Sequence, residues 1–221
     1  MKEGTRYAER LRKVYAKLQK SPPDLNVVEL RDPVRCLAVG ILGTDFGEEL
    51  GERQLNRAFS TMVDWNELRV SNASELSEAV GDVSPESMRR CRNLIDAIQA
   101  IYDRENKVSL ERLKTIGRRE ARTYLETLKG VDEFAVAVVV LWSLGGHAIP
   151  VSQQLLEELR DANLVNPTAT REEVQAFMER NVAASEAMEF CVVMRSFAAA
   201  KRSSNRRTVT RKAGTRGEGE K

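Results

Sequence analysis

The five residues Leu128-Lys129-Gly130-Val131-Asp132 have types and spacing that fit a binding function. They stand between two segments with helical spacing, and Gly130 can adopt the positive φ that a tight hairpin requires. Asp132 tolerates the left-handed region better than most non-glycine residues. Such a hairpin directs backbone N–H groups and a helix N-terminus at a phosphate, which needs no particular side chain. A plain connector between two helices is the alternative interpretation.

Cysteine and histidine are too few and too scattered to suggest a metal centre. Cys36, Cys91 and Cys191 each lie among apolar residues, which predicts buried thiols in a reducing compartment. The single histidine, His147, follows a Gly-Gly turn and is predicted to be a loop residue. No close Cys/His spacing of the kind that binds zinc or an iron–sulfur cluster is present, so we expect no metal and no cofactor.

The net charge of +2 conceals a strong asymmetry between the ends and the middle of the chain. Residues 1–20 carry seven Lys/Arg and two Glu, and residues 201–221 carry eight Lys/Arg and two Glu, so residues 21–200 have a net charge of −9. Basic ends attract polyanions, whereas an acidic middle is unusual for a surface that binds duplex DNA.

The chain has the composition of a globular cytoplasmic protein. With 42% hydrophobic and 31% charged residues it can bury a core, and no apolar run reaches the length of a membrane span. The N-terminal segment MKEGTRYAERLRK is too charged for a signal peptide. We therefore expect a cytoplasmic location and no membrane partner.

Helical spacing of apolar residues recurs along most of the sequence, and no convincing strand alternation is found. Asp32 followed by Pro33 predicts an N-cap and the first residue of a buried helix, and Ser84-Pro85 predicts the start of a longer one. Ser74 is predicted to cap a short helix that ends at Gly81. The predicted class is all-α, with about ten mostly short helices and no internal repeat.

Several segments, in their order and spacing, resemble the helix-hairpin-helix DNA glycosylase superfamily and most closely its endonuclease III branch. They are residues 33–44, DWNELRVSNASELSEAVG (64–81), LKTIGRREARTYLETLKGV (113–131), PVSQQLLEEL (150–159) and EFCVVMRSFA (189–198). The resemblance implies two helical lobes, one of six helices over 32–146 with the hairpin, and one from 1–31 plus 147–200. Residues 201–221 are predicted to be a disordered basic tail.

Members of this superfamily flip a damaged base into the cleft between the lobes and cut its glycosidic bond. The resemblance implies a carboxylate in the loop after the hairpin, and in bifunctional members a lysine four residues after the hairpin glycine. Here those positions hold Ser152 and Phe134. A phenyl ring cannot attack or titrate, and serine keeps the N-cap role of the aspartate without its charge. No catalytic residue is therefore predicted.

Other residues could in principle replace the missing groups. Asp132 and Glu133 are the acids nearest in sequence, but the hairpin is expected to direct them toward DNA phosphate, which they would repel. The preferred interpretation is that both are first-turn acids that stabilise the helix dipole. Asp45 falls where endonuclease III relatives carry a glutamine that fills the gap left in the duplex. Lys129 aligns with a turn position rather than with the nucleophile.

The sequence leads to a primary function hypothesis and two alternatives. The first is a catalytically degenerate, endonuclease III-like base-excision-repair protein that retains DNA binding of low sequence specificity. The predicted DNA contacts are Lys129, Gly130, Val131 and Asp132 of the hairpin and Lys201, Arg202, Arg206 and Arg207 of the tail. The alternatives are an active glycosylase or lyase that uses displaced residues, and a non-enzymatic protein-interaction scaffold whose partner the sequence does not identify.

Overall fold

The computed structural model describes residues 4–19 and 31–197, and within these ranges the protein is all-α with no strand. This confirms the predicted fold class. The ten helices with defined ends are α1 (Gly4–Leu18), α2 (Pro33–Gly43), α3 (Glu48–Ala58), α4 (Trp65–Val70), α5 (Ala73–Val80), α6 (Pro85–Glu105), α7 (Arg118–Glu126), α8 (Glu133–Trp142), α9 (Gln153–Asp161) and α10 (Arg171–Asn181). Helix α11 covers 187–197, and 3₁₀ turns lie at Glu111–Lys114 and Ala184–Glu186.

Helices α2 and α8 form the centre of the core. Asp32 caps α2 by accepting a hydrogen bond from the Arg35 amide, and Pro33 begins the helix, as the sequence predicted. Nearly every residue of both helices is buried. A Cβ atom on Gly40 would lie 2.6 Å from the Ala135 Cα, so glycine permits the close approach of the two helix backbones.

The long helix α6 packs with α4 and α5 beside this centre. Helix α4 was not predicted, because its six residues are too few to show an apolar stripe; Asp64 caps it by accepting from the amides of Asn66 and Glu67. Helix α5 is capped by Asn72 in a capping box with Glu75, not by Ser74. The range 32–146 therefore contains seven α-helices rather than the predicted six.

Helices α1 and α11 pack against each other through an aromatic contact. The rings of Tyr15 and Phe190 have centroids 5.0 Å apart, and Leu11 of α1 is buried in the same core.

The predictions for the cysteines and the histidine are confirmed. All three cysteines are buried and free, and His147 lies in the loop after α8. No helix in the described ranges is long and apolar enough to cross a membrane. The division into two lobes stays a prediction.

Candidate functional site

A cavity of about 50 Å³ lies where α3, α8, α9 and α11 meet. Its wall is mostly apolar, with two phenyl rings, and has a charged end formed by the start of α3 and Arg195 of α11. The lining residues are Phe46, Gly47, Glu48, Glu49, Phe134, Ile149, Pro150, Ser152, Gln154, Leu155, Phe190, Cys191, Met194 and Arg195. Phe134 and Ser152 therefore line one cavity. The family resemblance of the sequence assigned them to the positions of the nucleophile and the carboxylate.

Phe134 lies in the first turn of α8, and its side chain is directed into the core. Only 2% of the residue is exposed, because α8 is apolar on all sides and buried from Phe134 to Trp142. The ring supplies a wall of the cavity but neither a proton nor a lone pair. This position can shape a binding site and cannot provide a nucleophile.

Ser152 is the N-cap of α9, as predicted. Its Oγ accepts a hydrogen bond from the Leu155 amide at 3.2 Å. The two preceding amides of the helix donate to the loop that follows α2: Gln153 N to the carbonyl of Thr44 at 3.2 Å, and Gln154 N to the carbonyl of Asp45 at 2.8 Å. The N-terminus of α9 is thus occupied by acceptors from the protein itself.

Glu48 is the buried carboxylate of the cavity wall, and it is held on both sides. Its Oε1 accepts from Trp142 Nε1 at 2.7 Å, and its Oε2 accepts from Arg195 NH1 at 2.6 Å. The Arg195 guanidinium also lies 4.8 Å above the centroid of the Trp142 rings. These bonds join α3, α8 and α11 and leave the carboxylate neutralised by a permanently charged partner.

The hairpin between α7 and α8 has the predicted glycine geometry. Gly130 has φ +80°, and a Cβ atom there would lie 2.2 Å from the backbone oxygen of Asn93 on α6. The Val131 amide donates to the Leu128 carbonyl at 3.3 Å, which closes the turn. Lys129 is exposed but pairs with Asp96 of α6 at 3.0 Å. The hairpin therefore rests on α6 through its backbone and through an ion pair.

The carboxylate of Asp132 is engaged by groups of the protein itself. It has an extended backbone with φ −106° and caps α8 by accepting from the Ala135 amide at 2.9 Å. Its other oxygen accepts from the hydroxyl of Thr44 and pairs with Arg171 of α10 at 3.1 Å. Arg171 also donates to Thr44 at 3.0 Å. The carboxylate thereby ties the hairpin to α10 and to the end of α2.

The other acids considered as replacements lie away from the cavity. Asp45 is bound by Arg90 at 2.6 Å and by Arg89 at 3.3 Å, so its carboxylate serves a structural ion pair. Glu133 is exposed in the first turn of α8 and does not line the cavity. The desolvation of its charged carboxylate, followed by repulsion from the nearby Glu172, raises the pKa of Glu133 above its ordinary value. Lys201, Arg202, Arg206 and Arg207 lie outside the described residues.

Sequence reasoning missed the residues that make the cavity polar and accessible. Glu48 and Arg195 are 147 positions apart, and no local pattern connects them. Phe46 stands at the cavity with 51% of its surface exposed, an uncommon position for a large aromatic side chain. Its place after Asp45 in a polar connection between two helices was the available signal. Within the described ranges, no group of three or more His, Cys, Asp or Glu could hold a metal ion.

Comparison with known proteins supports the fold and one distant sequence relationship. No protein-family model matches the chain. It is 21% identical over 160 residues to an Arabidopsis thaliana protein named "Putative DNA glycosylase", an alignment that covers 72% of this chain and 54% of that protein. The chain therefore spans about half the length of this relative.

Solved structures of DNA glycosylases share the architecture. A trapped endonuclease III–DNA covalent intermediate matches with a TM-score of 0.64 at 18% identity, covering 85% of this chain and 84% of the other. Clostridium acetobutylicum 8-oxoguanine glycosylase/lyase in complex with double-stranded DNA gives 0.65 at 14% identity, with 92% and 71% covered. H. pylori 3-methyladenine DNA glycosylase gives 0.58 at 18%, with 88% and 98% covered. The chain has the helix-hairpin-helix DNA glycosylase fold.

Proposed function

We propose that this chain is a DNA-binding protein with a glycosylase fold whose cleft has lost the chemistry of strand cleavage. The observation that carries the proposal is the pair Phe134 and Ser152, a ring and a hydroxyl on the wall of one cavity. Their positions correspond, by the sequence resemblance, to those of an amine and a carboxylate. Neither of the two side chains supplies an amine or a carboxylate.

The remaining polar groups of the cavity do not restore a lyase reaction. Schiff-base formation needs a neutral amine, and none of the residues that line the cavity is a lysine. Arg195 supplies a guanidinium, which stays protonated in proteins and does not attack a sugar carbon. We therefore expect no covalent intermediate with an abasic site.

DNA binding is supported by the geometry of the hairpin and by solved structures of the same fold that contain DNA. Gly130 and Val131 form a tight turn at the N-terminus of α8, a geometry in which backbone amides can hold a phosphate. Asp132 contributes by capping α8 and fixing the turn, and Lys129 contributes a cation shared with Asp96. The endonuclease III and 8-oxoguanine glycosylase structures with the same fold are complexes with DNA. The tail residues Lys201, Arg202, Arg206 and Arg207 would add sequence-independent attraction.

A second candidate function is a glycosylase without lyase activity that uses Glu48. The observation in its favour is that this buried carboxylate lines the cavity. A carboxylate can activate water or support positive charge on the sugar. Its pairing with Trp142 and Arg195 argues for the structural role, because the charge is already neutralised.

The test uses the full chain and duplexes that contain uracil, thymine glycol, 8-oxoguanine or an abasic site. We expect a salt-sensitive shift of each duplex, no adduct after borohydride treatment, and no base release above a blank. Borohydride trapping would overturn the proposal. Base release that Glu48→Gln abolishes and Glu49→Gln leaves unchanged would instead establish the second candidate, since both residues line the cavity and only Glu48 is buried.

A further inference from the structure

Helix α1 is strongly basic on the side that does not face the core. Between Gly4 and Leu18 it has five Lys/Arg and one Glu. Four of the cations, Arg6, Arg10, Lys13 and Lys17, are spaced by four, three and four residues, so they follow one side of the helix. We call these four residues the basic stripe. Their positions span about 16 Å along the helix axis, at 1.5 Å per residue.

A groove of about 610 Å³ runs between this side of α1 and the turn that follows α9. It is lined by Arg6, Arg10 and Lys13 together with Tyr7, Val14 and residues 162–164, and none of its lining residues is acidic. Arg10 NH1 donates to the Asn163 carbonyl at 3.1 Å, and Asn163 has a left-handed φ of 54° that shapes the turn. The groove is therefore a fixed, positively charged concavity.

Three cations on α6, α10 and the hairpin are held in ion pairs, unlike Lys13 and Lys17 of the basic stripe. Lys129 pairs with Asp96, Arg171 with Asp132 and Arg90 with Asp45. Neither Lys13 nor Lys17 forms an ion pair or hydrogen bond in the part of the chain that the structure describes, and both are exposed. Lys13 and Lys17 therefore present two unpaired, exposed charges on one side of α1, within the described part of the chain.

We propose that the basic stripe and its groove bind the phosphate backbone of a nucleic acid strand, as a second contact surface separate from the hairpin. The choice of nucleic acid among polyanions rests on the proposed function. A membrane surface fits less well, because a helix that lies in the interface needs an exposed apolar side. In α1 that side is covered: Ala8 and Leu11 are 7% and 2% exposed.

The test compares two double variants of the full chain in fluorescence anisotropy with a labelled undamaged duplex across a salt series. Lys13→Gln/Lys17→Gln removes two charges of the basic stripe. Arg53→Gln/Arg119→Gln removes two exposed cations elsewhere, and both variants are checked for folding by circular dichroism. Each lost phosphate contact lowers the slope of log affinity against log salt by about 0.9, so we expect the first variant to lose about 2 units of slope and the second to match the wild type. Between 50 and 200 mM salt, the wild type should then lose roughly tenfold more affinity than the stripe variant.

Equal slopes for the two double variants would overturn the inference, and so would tighter binding of a polyglutamate chain than of the duplex. A hairpin variant, Gly130→Ala, separates this outcome from failure of the proposed function. If Gly130→Ala weakens duplex binding while the stripe variant keeps the wild-type salt slope, the proposed function holds and this inference fails. If only the stripe variant weakens binding, the inference holds and the role of the hairpin fails.

Discussion

The indole of Trp142 donates its N–H to the buried carboxylate of Glu48 at 2.7 Å, and this bond fixes the charged end of the cavity. Arg195 holds the second carboxylate oxygen at 2.6 Å from the opposite side. Three helices that are far apart in sequence thus meet at one carboxylate. The arrangement allows a stability measurement to report on the cavity directly.

Replacing Glu48 by alanine should destabilise the protein by about 3–5 kcal/mol, because it leaves the indole N–H without an acceptor and the guanidinium without its counter-charge. Glu48→Gln keeps an acceptor for the indole and should cost less. Urea denaturation gives the free energy of unfolding for each variant. The control is Glu49→Ala, an exposed neighbour in the same turn that should change stability by less than about 0.5 kcal/mol. Equal losses at the two positions would contradict the structural role assigned to Glu48.

Restoring an amine and a carboxylate should restore covalent chemistry if Phe134 and Ser152 occupy the positions that the sequence resemblance implies. We expect Phe134→Lys/Ser152→Asp to form a borohydride-trapped adduct with an abasic duplex, since an apolar wall lowers the pKa of a lysine and favours its neutral form. Gel analysis of reduced complexes is the measurement. Leu155→Lys, which puts an amine on another wall of the cavity, is the matched control. Equal trapping by both variants would show that any amine in the cavity suffices.

Gly130→Ala should disrupt the hairpin, because the residue has φ +80° and its new Cβ would lie 2.2 Å from the Asn93 carbonyl oxygen. The conformational strain alone costs about 1–3 kcal/mol, and the clash displaces the turn from α6. We expect lower stability in urea and weaker duplex binding in anisotropy. Gly117→Ala serves as the control, since a Cβ there meets no atom within 4 Å. Unchanged duplex affinity in a folded Gly130→Ala protein would remove the hairpin from the binding surface.

The free energy of unfolding should decrease in alkaline solution, because buried cysteine and tyrosine side chains ionise at a lower pH in the unfolded chain than in the folded one. Burial raises the pKa of Cys36 from 9.0 to about 12 and that of Cys91 to about 11, and it raises the pKa of Tyr124 from 10.0 to about 12. Below pH 9 both the folded and unfolded states keep these protons. Between the unfolded and folded pKa values only the unfolded state loses them, so the free energy of unfolding decreases as the pH rises from 9 to 12.

Urea titrations at several pH values between 7 and 11 measure this decrease. Cys91→Ala should show a shallower decline above pH 9 than the wild type, whatever its stability at pH 7. The thiols should also stay unreactive toward a disulfide reagent at pH 8 and become reactive in denaturant, because all three are buried. A stability that is flat from pH 7 to 11, or thiols that react in the native protein, would contradict this prediction.

Local signals in the sequence predicted most helices and several of their caps. They did not predict the hydrogen bonds and ion pairs that neutralise the charged groups of the site. Caps at Asp32, Ser84 and Ser152, and the positive φ of Gly130, follow from residue type and neighbours, and each is found. Helix α4 was missed because six residues provide too little periodicity. Thr44 and Arg171, which are 88 and 39 positions away, both donate hydrogen bonds to Asp132. These contacts depend on packing that no short sequence pattern encodes.

The two amides at the start of α9 hold this helix against the loop that follows α2, beside the cavity. Because Gln153 and Gln154 donate to the carbonyls of Thr44 and Asp45, any ligand that separates α9 from this loop must break both bonds. The rate of solvent exchange at these two amide hydrogens therefore reports how often α9 separates from this loop. A ligand bound in the closed cavity would slow this exchange, and a ligand that separates α9 from the loop would speed it up.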